Sequence, residues 1–87
     1  MKVIQLKGIT KKESPLHYRG EYSGTAVLDL EIDQPIESRL TFVLEHSATG
    51  GIGVTITLLD DVNYPLVPLI GSLKSFILSM EKEGRLS

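Results

Sequence analysis

The chain contains no cysteine and no tryptophan among its 87 residues. The absence of cysteine excludes disulfide bonds, thiolate nucleophiles and cysteine-ligated zinc or iron–sulfur sites. A chain of this length forms one domain and buries roughly 60 to 65% of the surface of its unfolded form, which leaves little room for an enclosed active site. We therefore expect residues 1–87 to form a single small domain that is not an enzyme.

Long hydrophobic runs are also absent from the sequence. The longest apolar-rich stretch, Leu66 to Met80, is interrupted by Pro68 and by several polar residues, and it is too short to cross a bilayer. Near the N-terminus, Gln5 and Lys7 break the apolar residues, so this segment lacks the continuous apolar core of a signal peptide. These features predict a cytoplasmic protein with no membrane partner.

Neither sign of charge dominates, because nine Lys and Arg stand against eleven Asp and Glu, for a net charge of −2. The two signs are nevertheless separated along the chain. Residues 1–24 hold five basic and two acidic residues, whereas residues 25–61 hold one basic and seven acidic residues. This separation suits a polar interface or self-association between unlike faces, and more simply a hairpin with an acidic solvent face.

Apolar residues occupy every second position in three successive segments of the chain. They are Ala26, Leu28, Leu30 and Ile32, then Leu40, Phe42 and Leu44, then Ile52, Val54, Ile56 and Leu58. This period of two is typical of an antiparallel sheet with one buried face. Residues 2–10 predict a further strand, whereas residues 11–24, which contain Pro15, Gly20 and Gly24, predict a mixture of loop and irregular strand.

The same pattern predicts the register of two hairpins with connections at 34–38 and 47–51. In each, the predicted pairing keeps apolar residues on one face. The first hairpin would pair Leu28 with Leu44, Leu30 with Phe42, Ile32 with Leu40 and Asp33 with Arg39. The second would pair Leu40 with Leu58, Phe42 with Ile56, Leu44 with Val54 and His46 with Ile52.

A different period follows the last predicted strand. Apolar residues from Leu66 to Met80 recur at intervals of three and four, which predicts an amphipathic helix from Pro68 to Glu83 that ends at Gly84. We expect the preceding Asp60 and Asp61 to bind free amides or the helix dipole.

A sheet with one apolar face needs a cover, and this helix supplies it. The predicted fold is an α+β two-layer sandwich, a four-stranded antiparallel β-meander covered by one C-terminal helix in the order ββββα. The predicted core consists of Leu28, Leu30, Phe42, Leu44, Val54, Ile56, Leu69, Leu73, Phe76, Ile77 and Met80.

Residues 11–22, which we term the basic–aromatic segment, are the strongest candidate for a binding site. Basic groups alternate there with aromatic rings, as binding of a peptide or of single-stranded nucleic acid would require. The candidate binding residues are Lys11, Lys12, His17, Tyr18, Arg19 and Tyr22. The simpler structural interpretation is that Tyr18 and Tyr22 cover the end of the sheet.

Few other residues suggest chemistry. The run Gly50–Gly53 lies between two strands rather than between a strand and a helix, so it predicts a hairpin turn and not a phosphate site. His46 is expected to be half-buried at the rim of the sheet. A metal site made of His17, Glu21 and His46 would require the basic–aromatic segment to fold back onto the second hairpin. We therefore predict no catalytic residue, no metal site and no cofactor.

These observations favour a small non-catalytic protein-interaction or regulatory module. Leu59 and Leu78 lie on predicted exposed positions and suggest a homodimer, so the partner is another protein or a second copy. One alternative is a nucleic-acid-binding domain that uses the basic–aromatic segment, which a continuous positive patch would favour. A second is a histidine-centred metal or hydrolytic site, which clustering of His17 and His46 in one cleft would favour.

Overall fold

The computed structural model describes residues 1–13, 15–31 and 34–86. It contains four strands and one helix: β1 (Lys2–Lys12), β2 (Arg19–Asp29), β3 (Ile36–His46), β4 (Ile52–Leu58) and α1 (Leu66–Lys82). The strands form one antiparallel sheet in the order β1-β2-β3-β4, and α1 packs on one face of it. The predicted ββββα sandwich is confirmed.

The register of the second hairpin is also confirmed. Leu40 lies opposite Leu58, Phe42 opposite Ile56, Leu44 opposite Val54 and His46 opposite Ile52. The turn contains Gly50 with a φ of +93°, a backbone conformation that favours glycine. Ser47 donates its backbone N–H to the carbonyl of Gly51 at 2.8 Å, and this bond closes the turn.

The predicted register of the first hairpin is wrong. Strand β2 ends at Asp29, and Leu28 lies opposite Ile36, not Leu44. Both registers leave the same side chains on the buried face, so the apolar pattern alone does not distinguish them. The predicted positions of Ile32 and Asp33 lie outside the described residues, and Arg39 binds Asp60 through its side chain.

The start of β2 explains this difference in register. The sequence suggests an irregular segment up to residue 24, but β2 is a regular strand from Arg19 onward. Tyr22 therefore lies opposite Phe42, and Gly20 lies opposite Leu44. The glycines that suggest an interruption are accommodated within the strand.

Helix α1 begins at Leu66, two residues before the predicted start at Pro68. Pro68 is the third helical residue, where a backbone N–H has no partner within the helix, so proline is tolerated there. At the other end, Gly84 adopts a φ of +71° just after the helix, which agrees with the predicted stop. Within the described part of the chain, no helix has both the length and the apolar character needed to cross a membrane.

The core lies between the sheet and α1. Seven predicted core residues are buried, namely Leu28, Phe42, Leu44, Leu69, Leu73, Ile77 and Met80. The other predicted members, Leu30, Val54, Ile56 and Phe76, are partly buried and pack against them. The structure adds Val3, Leu6, Tyr22, Ala26, Leu40 and Leu86.

The helix is shorter than the strands that it covers. Its 17 residues span ~25 Å at 1.5 Å per residue. The 11 residues of β1, β2 and β3 each span ~36 Å at 3.3 Å per residue. Part of the apolar face of the sheet therefore extends beyond the helix.

Candidate binding groove

A groove of about 860 Å³ opens beside the last turns of α1, where β1 and β3 end and β2 begins. The side of the groove that belongs to the helix is formed by Glu81, and β3 contributes Leu44 and His46. The other lining residues come from β1, β2 and their connection: Lys11, Lys12, Glu13, Pro15, Leu16, His17, Arg19, Gly20 and Tyr22.

The floor of the groove is apolar. Tyr22 is buried and stacks on Phe42, with ring centroids 4.9 Å apart and ring planes 10° apart. Leu44 is buried beside them. Gly20 makes room for this arrangement, because a Cβ atom there would lie 2.9 Å from Cε1 of Tyr22. The ring of Tyr22 is thus part of the core and part of the groove.

The charges around the groove differ in whether they are neutralised. The Arg19 guanidinium pairs with Glu45, and Nε2 of His46 lies 3.8 Å from Oε1 of Glu81. The ammonium of Lys11 lies 5.7 Å from the ring centroid of Tyr22, a cation–π arrangement. Neither Lys11 nor Lys12 forms an ion pair with a described residue. The groove therefore offers an uncompensated ammonium group above an apolar floor.

Most of the residues predicted for the binding site line this groove. Lys11, Lys12, His17, Arg19 and Tyr22 do so, whereas Tyr18 does not. Tyr18 is about half exposed, and its carbonyl accepts a hydrogen bond from the backbone N–H of His46 at 2.8 Å. For Tyr22, the simpler interpretation that it covers the end of the sheet agrees with its burial.

Leu44 and Glu81 line the groove although the sequence does not predict them as site residues. The strand alternation already explains Leu44, and Glu81 lies in the last turn of α1. Only the meeting of β3 with the end of α1 brings them to the groove, so no spacing in the sequence signals their role.

His17 and His46 line the same groove, which is the arrangement that the histidine-centred alternative requires. The predicted trio is not completed, because Glu21 lies on β2 next to Tyr22 and points to the opposite face of the sheet. Among residues 1–13, 15–31 and 34–86, no three His, Cys, Asp or Glu side chains are placed to hold a metal ion. The hydroxyls of Ser47 and Thr49 bond to each other at 3.1 Å within the turn.

Asp60 lies outside the groove and has a structural role. Its carboxylate accepts hydrogen bonds from the backbone N–H, Nε and Nη2 of Arg39, at 2.8, 3.2 and 2.8 Å. These hydrogen bonds lower the pKa of Asp60 from 3.8 to about 2. The expectation that this acid binds a free amide is correct, but the amide belongs to β3 and not to α1.

Comparison with known protein families shows that the chain belongs to the BB_0187 family, whose model matches residues 1–82. The match covers every strand and the whole helix, and therefore also the groove. No curated protein and no solved structure matches the chain.

Proposed function

We propose that this domain is a non-catalytic binding module whose groove receives an acidic and partly apolar peptide segment of a protein partner. One observation carries the proposal: Lys11 has no ion pair with a described residue and lies over the apolar floor formed by Tyr22 and Leu44. A carboxylate beside an apolar side chain would complement both features.

The apolar part of such a peptide would supply most of the affinity. An exposed ion pair contributes about 0.2 to 1 kcal/mol, whereas full burial of one leucine or valine side chain contributes about 1.5 to 3 kcal/mol. The Lys11 ammonium would then select and orient the peptide more than it holds it. Leu16, which is 41% exposed at the edge of the groove, is the natural contact for the apolar side chain.

A peptide suits this groove better than a nucleic acid. Binding of single-stranded nucleic acid relies on aromatic faces on which bases stack. The ring of Tyr22 is buried against Phe42, and the exposed Tyr18 does not line the groove. The basic–aromatic segment therefore offers cations but no free ring face inside the groove.

Selection from a displayed library of random dodecapeptides tests the proposal. We expect wild-type protein to enrich peptides that carry Asp or Glu beside an apolar residue. These peptides should shift the amide NMR signals of groove residues. Lys11→Glu should lose the preference for acidic peptides, and Leu16→Ser should weaken binding while keeping that preference. Lys74→Glu, an exposed lysine of α1 outside the groove, is the matched control and should bind as wild type does.

Two results would overturn the peptide proposal. One is enrichment of peptides that bind Lys11→Glu as well as wild type or that shift signals away from the groove. The other is tight binding of a fluorescent oligonucleotide that Lys11→Glu abolishes, with no enriched peptide, which would support the nucleic-acid alternative.

A histidine-centred site is the second candidate function, because His17, His46 and Glu81 line the same groove. Addition of Zn²⁺ to the wild type tests it through the NMR signals of the imidazole rings. Micromolar binding that either His17→Ala or His46→Ala abolishes would support a metal site. Unchanged imidazole signals at millimolar Zn²⁺ would remove it.

We further propose that the domain acts in the cytoplasm as a homodimer. Leu59 is 52% exposed, and the four-stranded sheet has two open edges. Sedimentation equilibrium at micromolar concentration should give about twice the monomer mass of 9.6 kDa. Fractionation of native cells tests the compartment.

A further inference from the structure

The two edge strands of the sheet differ in how they are protected. Strand β1 has two irregularities in its pairing with β2, contains Gly8 at a φ of +61°, and carries four lysines. Bulges and lysines are devices that prevent an edge strand from pairing with another chain. Strand β4 has neither, since its register with β3 is continuous and residues 52–59 carry no charge.

The hydrogen bonds of β4 show which backbone groups remain open. Leu59 donates its N–H to the carbonyl of Arg39, and Ser47 donates its N–H to the carbonyl of Gly51. In an antiparallel pair, residues that bond to the neighbouring strand alternate with residues that point away from it. The odd-numbered residues of β4 therefore bond to β3, and the even-numbered residues direct their N–H and C=O groups outward.

The side chains of these even-numbered residues are incompletely covered. Ile52, Val54, Ile56 and Leu58 face the helix side of the sheet and are only partly buried. Their partners on β3, among them Leu40, Phe42 and Leu44, are buried. An additional strand at this edge would satisfy the open backbone groups and cover the apolar side chains together.

We propose that β4 pairs antiparallel with β4 of a second copy around a two-fold axis at Thr55, which joins the two sheets into one of eight strands. This inference rests on the proposed homodimer and assigns its interface. It places Ile52 opposite the partner's Leu58, and Val54 opposite the partner's Ile56. All four outward-facing residues then bond to one another, and Thr55 faces the partner's Thr55.

Charge and register both favour a second copy in this arrangement. Because residues 52–59 are uncharged, the two-fold axis brings no like charges together. The register places Asp60 beside the partner's Gly50 and away from any acid. Moving the axis by one residue would pair Leu58 with Gly50 or Ile52 with Asp60, and part of the strand would lose its apolar partner.

Cysteine cross-linking tests this register, because the chain contains no cysteine of its own. In the proposed pairing, the two Thr55 residues form a pair without mutual hydrogen bonds, with Cβ atoms about 4.5 to 5.5 Å apart. Thr55→Cys should therefore form a disulfide-linked dimer on mild oxidation. Thr57→Cys is the matched control, an exposed threonine on the same strand whose two copies would be ~13 Å apart. It should remain unlinked on a non-reducing gel.

A charge substitution tests the same axis without oxidation. Thr55→Lys brings two ammonium groups together and should raise the dimer dissociation constant about fivefold in sedimentation experiments. Thr57→Lys, which faces the partner's Gly53, should change it little.

The outcomes separate this interface from the proposed dimer. A wild-type dimer in which Thr55→Cys does not cross-link, or cross-links no better than Thr57→Cys, overturns the β4 interface and leaves the homodimer standing. A wild-type monomer at micromolar concentration overturns both and leaves the edge for a strand of another protein. Peptide binding in the groove is measured separately and is unaffected by either result.

Discussion

Tyr22 lies nearly parallel to Phe42 across β2 and β3, with ring centroids 4.9 Å apart. The two residues are direct partners in the register of these strands, and both are buried. Their stack is the point where the core meets the groove. A substitution at Tyr22 therefore changes stability and groove shape together, so Lys11 and Leu16 are the better probes of binding.

Removal of either ring should destabilise the domain strongly. Phe42→Ala should cost roughly 3 to 5 kcal/mol in the free energy of unfolding, because it leaves a cavity under Tyr22 and α1. Tyr22→Phe keeps the stacked ring and should cost far less than Tyr22→Ala. Urea denaturation of both single alanine variants and the double variant should give a coupling of about 0.5 to 1.5 kcal/mol. Additive effects would contradict the stack.

Gly20→Ala should disturb the same stack from the backbone side. The added Cβ would approach Cε1 of Tyr22 to 2.9 Å, and the ring cannot move without leaving Phe42. We expect a loss of about 1 to 3 kcal/mol, as for other overpacked sites. Gly71→Ala is the matched control, since its Cβ meets no atom within 4 Å on an exposed turn of α1. It should raise stability by up to about 1 kcal/mol.

Ser38 should tolerate loss of its hydroxyl. It is 1% exposed on β3, and its Oγ has no hydrogen-bond partner among the described residues. An unpaired buried hydroxyl costs about 1 to 3 kcal/mol, so Ser38→Ala should leave stability unchanged or raise it by about 1 kcal/mol. The exposed Ser23→Ala is the control and should stay within about 0.5 kcal/mol of wild type. A clear loss at Ser38 in thermal unfolding would mean that the hydroxyl is bonded.

Asp60 should make stability depend on acid pH. Its pKa is lowered to about 2 in the folded protein, chiefly by the side-chain hydrogen bonds from Arg39 and then by the Arg39 backbone N–H. A lowered carboxyl pKa means that its stabilising contribution is complete above the unfolded value of 3.8 and is lost as the pH falls toward 2.

Urea denaturation between pH 2 and pH 6 tests this pH dependence. The difference in stability between wild type and Asp60→Asn should be constant above about pH 5 and should shrink on acidification below that. Asp61→Asn, a neighbouring exposed acid, is the control and should titrate as wild type does. A wild-type advantage that persists unchanged at pH 2 would contradict the assignment.

Local pattern determined much of this protein. Alternation of apolar residues identified β3, β4 and the buried face. The short turn at Ser47–Gly51 set the second register, because only one offset between those strands keeps both the turn and the apolar pairs. Spacing of three and four located α1, although that spacing does not show that the start of a helix tolerates Pro68. The sequence also singled out residues 11–22, since cations and aromatic residues alternate there.

Tertiary structure alone decided the offset between β2 and β3, because a strand repeats every two residues and any even shift preserves its buried face. Through that offset it placed Tyr22 on Phe42 and left Arg39 to bind Asp60. It also brought His17, His46 and Glu81 to one groove, where the sheet extends beyond a shorter helix. These residues are far apart along the chain, so their meeting depends on how the strands and the helix pack, which no spacing in the sequence records.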